Sequence, residues 1–120
     1  MENGATPKGV VYIAGKMTGL PDKGRNQFFL AQAALEDDGW IVLNPASIPD
    51  GLPANSYMPI CLAMLSAASV VMLLPGWERS RGAQIEAHYA MYQNIPVREI
   101  ESLIPIRVRP VSEAVEKEAK

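Results

Sequence analysis

The sequence predicts an α/β fold in one domain, with a parallel sheet of four to five strands and helices between them. Its 120 residues suit one compact domain. Short β-rich apolar runs alternate with longer helical patterns, the arrangement of a parallel sheet with right-handed crossovers. Gly15, Gly39, Asn44-Pro45 and Pro75-Gly76 punctuate those runs.

Val10-Val11-Tyr12-Ile13-Ala14 is unbroken and β-rich, as befits a strand buried on both faces. A polar loop, Lys16 to Arg25, follows with Gly19, Pro21 and Gly24. Asn26 is the expected cap of a helix running to about Asp38, with Phe28, Ala31 and Leu35 on one side and Gly39 as its stop. Trp40–Leu43 reads as the second strand. Pro45–Tyr57 holds three prolines and a glycine, so it is a long loop of the kind that is often functional.

Pro59 suits the first turn of a second helix. That helix is apolar nearly all round (Ile60, Leu62, Met64, Leu65), so it needs cover from the sheet and from a further element such as another subunit. Ser69–Leu74 is the third strand, Gly82–Gln93 the third helix and Ile95–Val97 a short fourth strand. Ile104–Val108 is a fifth strand or an extended arm, and Val111–Lys120 is helical or frayed. The expected organisation is a disordered N-terminus (1–8), a domain over 9–100, and a C-terminal arm (101–120) belonging to the fold or to an oligomer interface.

Composition removes several classes of function. The net charge of −2 is spread over both signs and gives no basic footprint for a nucleic-acid polymer. Cys61 is the only cysteine, in keeping with a reducing, cytoplasmic setting, and its apolar neighbours suggest an inert buried thiol. One cysteine and one histidine cannot build a zinc cluster or favour a Ser–His–Asp triad, so neither metal nor cofactor is expected. Met1–Lys8 is polar and does not read as a signal peptide. Met58–Leu74 approaches a membrane-spanning length, but Pro59, two serines and the change to β-branched residues divide it into a helix and a strand.

In parallel sheets ligands bind beyond the carboxyl ends of the strands. Gly15–Arg25, Asn44–Tyr57 and Pro75–Gly82 therefore share one rim. In the last loop Gly76 and Gly82 permit tight turning or close approach, and amides at the helix start beside Ser80 and Arg81 make either an anion site or a solvated turn. Trp77 either stacks on a base or caps an apolar patch.

Glu86 stands out. At about 100° per residue, Ala83, Ala87, Ala90 and Met91 share one sector and Ile85, Tyr89 and Tyr92 another, while Gln84 and His88 lie on the polar side. Glu86 falls between the apolar sectors, turned inward. Burying its charge costs several kcal/mol unless a partner compensates, and the helix dipole returns only about 0.3–1 kcal/mol. The partner is a bound sugar or hydroxyl if Glu86 is functional, or Arg79, Arg81 or a tyrosine if it is structural.

Tyr12-Ile13-Ala14-Gly15-Lys16-Met17, Asn44-Pro45 and Leu74-Pro75-Gly76-Trp77 through Ser80-Arg81-Gly82-Ala83-Gln84-Ile85-Glu86 together resemble an uncharacterised phage- and prophage-associated family that looks like the nucleoside 2-deoxyribosyltransferases. The resemblance covers Val10 to Val97. It implies a three-layer flavodoxin-like or Rossmann-like fold and a homo-oligomer (dimer or tetramer) whose sites neighbouring subunits complete. It implies Glu86 as the nucleophile attacking the anomeric carbon, with Gly15, Lys16 and Met17 contacting the base and Ser80, Arg81 and Gly82 holding a 5′-phosphate. Tyr12, Asn44 and Trp77 join the substrate-binding set.

A carboxylate suits such chemistry, because breaking an N-glycosidic bond builds positive charge on the sugar. The transferases carry further aspartates where this chain has Cys61 and Ser69, which points to an altered reaction or to binding without turnover. Asp22 and Asp50, on the rim loops, are candidate substitutes. The expected function is an N-glycosidase or 2-deoxyribosyltransferase acting on a nucleoside or its 5′-monophosphate. The alternatives are a nucleotide-binding module without turnover and a lysine-decarboxylase-like phosphoribohydrolase.

Overall fold

A computed structural model describes residues 6–111; the remainder of the expected disordered N-terminus and the tail from residue 112 lie outside the described residues. The elements are β1 (Val10–Ala14), α1 (Arg25–Asp37), β2 (Ile41–Leu43), α2 (Tyr57–Ser66), β3 (Val70–Leu73), α3 (Arg81–Tyr92), β4 (Val97–Leu103) and β5 (Ile106–Pro110). Short 3₁₀ turns at Pro45–Ser47, Ala54–Ser56 and Trp77–Arg79 lie in the loops. The strand order is β2-β1-β3-β4-β5. The first four strands run parallel and β5 returns antiparallel to β4.

β1 lies inside the sheet, and its alternation divides the core. Tyr12 and Ala14 pack with Leu65 of α2, Val71 and Leu73 of β3 and Ala87 of α3. Val11 and Ile13 pack on the other face with Phe28, Ala31 and Leu35 of α1. The strand is apolar throughout because both faces are covered, which makes three layers of helix, sheet and helix. Each large side chain fully buried in this way contributes about 1.5–3 kcal/mol.

Asn26 does not cap α1. The helix begins at Arg25, behind Gly24 in the left-handed region (φ 73°), and the Asp22 carboxylate accepts from Gly24 N and Asn26 N, both at 2.9 Å. A Cβ on Gly24 would lie 2.5 Å from the Lys16 carbonyl oxygen, so sterics as well as φ demand glycine. At the other end Trp40 N bonds Leu35 O and Gly39 N bonds Glu36 O, the paired bonds of a left-handed helix stop.

The fourth strand differs most from expectation. It starts at Val97 and continues to Leu103, then turns through Ile104-Pro105 into β5, which begins at Ile106. Residues 101 to 110 thus complete β4, its turn and β5, and the boundary expected at residue 100 falls inside a strand. Arg98, Glu99 and Glu101 hid the strand because an edge hairpin tolerates alternating charge. In α2 only Leu65 is buried, and Ile60 and Ala63 are exposed, so one chain alone does not cover this uncharged helix.

Candidate active site

Tyr12 points from β1 toward α3, where Glu86 meets it. The Tyr12 hydroxyl donates to Glu86 Oε2 at 2.5 Å, with the phenol fully buried and the glutamate 6% exposed. Cys61, one residue into the second turn of α2, interacts with both groups through its thiol. Of the partners weighed for Glu86, the structure supplies a tyrosine, and no ion pair among the described residues.

The electrostatics follow from that composition. Burial pushes the Glu86 carboxyl up to about 7 from its ordinary 4.5, against the opposing pull of hydrogen bonds from Tyr12 and Cys61. Burial, and then the adjacent carboxylate, raise the Tyr12 phenol, which keeps its proton as the donor. Burial likewise raises the Cys61 thiol, so it is no thiolate nucleophile.

The position of Glu86 on its helix needs correction. Ala83, Glu86, Ala87 and Ala90 are buried, whereas Ile85 and Tyr92 are exposed. The carboxyl stands at the border of the buried arc rather than its middle, on the side nearer the exposed Ile85. The expected buried state of Cys61 is also corrected. It is half-buried, because it forms part of the wall of a cavity.

That cavity, of about 620 Å³, lies beyond the carboxyl ends of β1 and β2. Met17, Leu20 and Lys23 line it from the loop after β1 and Ile48 from the loop after β2, with Arg25 and Tyr57 at the starts of α1 and α2. The Tyr57 hydroxyl donates to Pro49 O at 3.1 Å and accepts from Leu52 N at 3.2 Å, fastening the second loop. Glu86 is not in the wall; Cys61 connects the carboxyl to the cavity.

Two rim loops therefore enclose the cavity and the third does not. Trp77 is buried in the core, and its indole donates to Glu99 Oε2 at 2.8 Å, so it caps apolar packing rather than offering a face to a base. Glu99 also accepts from Arg109 Nε of β5 at 3.3 Å, beside a separate hollow of about 240 Å³. Ser80 caps α3 by accepting from Ala83 N at 3.1 Å, and Arg81 is exposed at the first position of that helix. Gly82 is half-buried, and a Cβ there would lie an ordinary 3.6 Å from Met58 Cε.

The remaining expected residues lie outside the cavity wall. Gly15 passes so close to β3 that a Cβ would lie 2.9 Å from Leu74. Lys16 reaches across to the Arg79 carbonyl at 3.5 Å, joining the first and third loops. Asn44 is buried and fully engaged, donating to Gln32 Oε1 at 2.9 Å and accepting from Ala46 N at 2.8 Å. Ser69 bonds both backbone groups of Val10 at 2.9 Å, at the amino edge of the sheet and away from the cavity. His88 is half-buried on α3.

Sequence reasoning missed Glu99 and the cavity lining of Leu20, Lys23, Arg25, Ile48 and Tyr57. Strict alternation from Val97 would have turned Glu99 inward; the loop residues carry no comparable signal. Among the described residues no group of three or more His, Cys, Asp or Glu could hold a metal. No helix there is long and apolar enough to cross a membrane.

A family described as a domain of unknown function, DUF4406, matches residues 9–99. No curated protein and no solved structure matches the chain.

Proposed function

The chain belongs to the DUF4406 family, and from that premise we propose that it is an N-glycosidase or 2-deoxyribosyltransferase-like protein acting on a nucleoside or nucleoside 5′-monophosphate. One observation carries the reading: a buried carboxyl held by a phenol at 2.5 Å, joined through Cys61 to a cavity large enough for a sugar and a base. A carboxyl raised to about 7 is divided between its two forms near neutrality, so the ionised nucleophile is available there.

In this reading Glu86 attacks the anomeric carbon, the bond to the base breaks, and the electron pair leaves with the base nitrogen. Water, or an acceptor base in transfer, then displaces the glutamyl ester. Tyr12 orients the carboxylate through its donated hydrogen bond. Met17 lies in the cavity wall where a base would rest, and Gly15 and Lys16 precede it in the same loop. Ser80, Arg81 and Gly82 start the helix that carries the nucleophile. The homo-oligomer and the cytoplasmic setting belong to the same proposal, with the uncovered side of α2 available to a second copy.

The acid partner is the weak point of turnover. Both Asp22 oxygens are engaged in capping α1. Asp50 is held ionised by hydrogen bonds from Arg25 and Lys23, which leaves it no proton to give. Cys61 stands between the carboxyl and the cavity, and that favours a second reading, a nucleotide-binding module without turnover.

The deciding experiment incubates the protein and its Glu86→Gln variant with nucleosides and their 5′-monophosphates, reading free base by mass spectrometry. Release by the parent and not the variant supports catalysis. Thermal stabilisation of both without release supports the binding module.

A further inference from the structure

Asp50 Oδ1 sits between two cations, 3.0 Å from Lys23 Nζ and 2.5 Å from Arg25 Nη2. All three residues line the 620 Å³ cavity. We propose that Lys23 and Arg25 form the anion-recognition point of this cavity, that the ligand's anion is a phosphomonoester, and that Asp50 is a built-in stand-in which the phosphate displaces. This rests on the cavity being the ligand site, as in the function proposed above, and not on turnover.

The chemistry of the two ends supports the assignment. One carboxylate oxygen shared by an ammonium and a guanidinium occupies the place a phosphate oxygen would take, and a phosphomonoester adds charge and a third terminal oxygen, enough to meet both cations at once. The ion pairs are exposed, with the Asp50 side chain 58% accessible. Pairs of that kind contribute little, so a better anion replaces them readily. Away from the cations the wall is apolar, with Met17, Leu20, Ile48 and Cys61 suited to a ring. A nucleoside monophosphate matches both ends.

The backbone that carries the two cations is fixed before any ligand arrives. Lys23 adopts the left-handed region at φ 58°, unusual for a lysine. Asp22 fixes the turn that follows by accepting from Gly24 N and Asn26 N, and Arg25 lies between those two donors. The phosphate contact thus differs from the one the resemblance implies. Ser80, Arg81 and Gly82 are outside this wall, and Ser80 Oγ is engaged in its cap.

The test is calorimetric titration of the full chain with inorganic phosphate, and with nucleosides paired with their 5′-monophosphates. The parent is compared with Asp50→Asn, Lys23→Gln/Arg25→Gln and Arg81→Gln. Removing the internal competitor tightens phosphate and monophosphate binding about two- to fivefold, the weight of an exposed ion pair, and leaves nucleosides unchanged. The double variant weakens monophosphates at least about tenfold, toward the nucleoside level, and Arg81→Gln does neither. Weaker or unchanged monophosphate binding by Asp50→Asn overturns the proposal, as does no phosphate or monophosphate binding by parent and Asp50→Asn alike. Base release that ignores the Lys23/Arg25 change sinks this inference and spares the glycosidic one; the expected binding pattern with no base release does the reverse.

Discussion

Tyr12 and Glu86 lie 74 residues apart in the chain, yet the hydroxyl of one donates to the carboxyl of the other at 2.5 Å. β1 and α3 are brought face to face by the sheet order, and neither side chain has water to fall back on. Burial therefore raises the carboxyl's proton affinity, and a neutral donor in place of a cation offsets only part of that rise.

The first consequence concerns stability. The folded carboxyl titrates at about 7 against an ordinary 4.5, so between those values the native state holds a proton that the unfolded state has lost. Stability then falls as pH rises through that window, and the full penalty is present above it. At about 1.4 kcal/mol per pH unit the difference is about 3 kcal/mol. Glu86→Gln keeps an oxygen for Tyr12 and has nothing to ionise. In urea unfolding it should match the parent below pH 4.5 and exceed it by about that amount at pH 8. An equal gap at both pH values would mean the carboxyl is not raised.

Removing the acid abolishes the titration, whereas removing the donor moves it upward. The Tyr12 bond lowers the Glu86 value, so Tyr12→Phe sends the carboxyl above about 7. A hydrogen bond to a charged group contributes about 1.5–3 kcal/mol, enough to cut the ionised fraction at pH 7 about seven- to eightyfold. Base release by Tyr12→Phe should fall by that factor at pH 7 and recover at pH 9. Carbon-13 NMR of the glutamate carboxyl reports the same midpoint without turnover. A midpoint unchanged or lowered would remove Tyr12 from any positioning role.

The architecture was legible because the runs are strongly patterned: Val10–Ala14 is apolar on both faces, and Phe28, Ala31 and Leu35 keep helical spacing. Glu86 was legible as a charge on an otherwise apolar side. Its exact orientation was not, since Ile85 and Tyr92 look like core residues in sequence and face outward in the fold. The cap of α1 was misread because Asn26 is a common cap, whereas Asp22 bonds across a left-handed glycine turn that no composition signal marks. The cavity wall was hidden for a different reason. Lys23 and Asp50 come from two loops and Arg25 from the start of α1, and only the folded chain brings them together.

That glycine turn gives a stability test. Gly24→Ala forces a β-carbon to within 2.5 Å of a backbone oxygen and requires φ 73° of an alanine. The start of α1 must shift, at a cost of about 2 kcal/mol or more. Thermal unfolding should show the loss, and monophosphate binding should weaken with it because Arg25 follows directly. A variant as stable as the parent would mean the turn relaxes freely and does not hold the cations.

Gly82 provides the converse case, in which the fold leaves room for a side chain. A Cβ there meets only Met58 Cε at 3.6 Å and Ser80 Oγ at 3.9 Å, and alanine is the better helix former by about 1 kcal/mol. Gly82→Ala should therefore be as stable as the parent or slightly more so. Any loss of base release in a fully folded variant then reports the close approach of a substrate to the amides that begin α3. Lower activity with unchanged monophosphate affinity would place the reacting sugar, and not the phosphate, against this turn. Unchanged activity would remove Gly82 from the site and leave the loop before Glu86 a purely structural connection, anchored by Trp77 on Glu99.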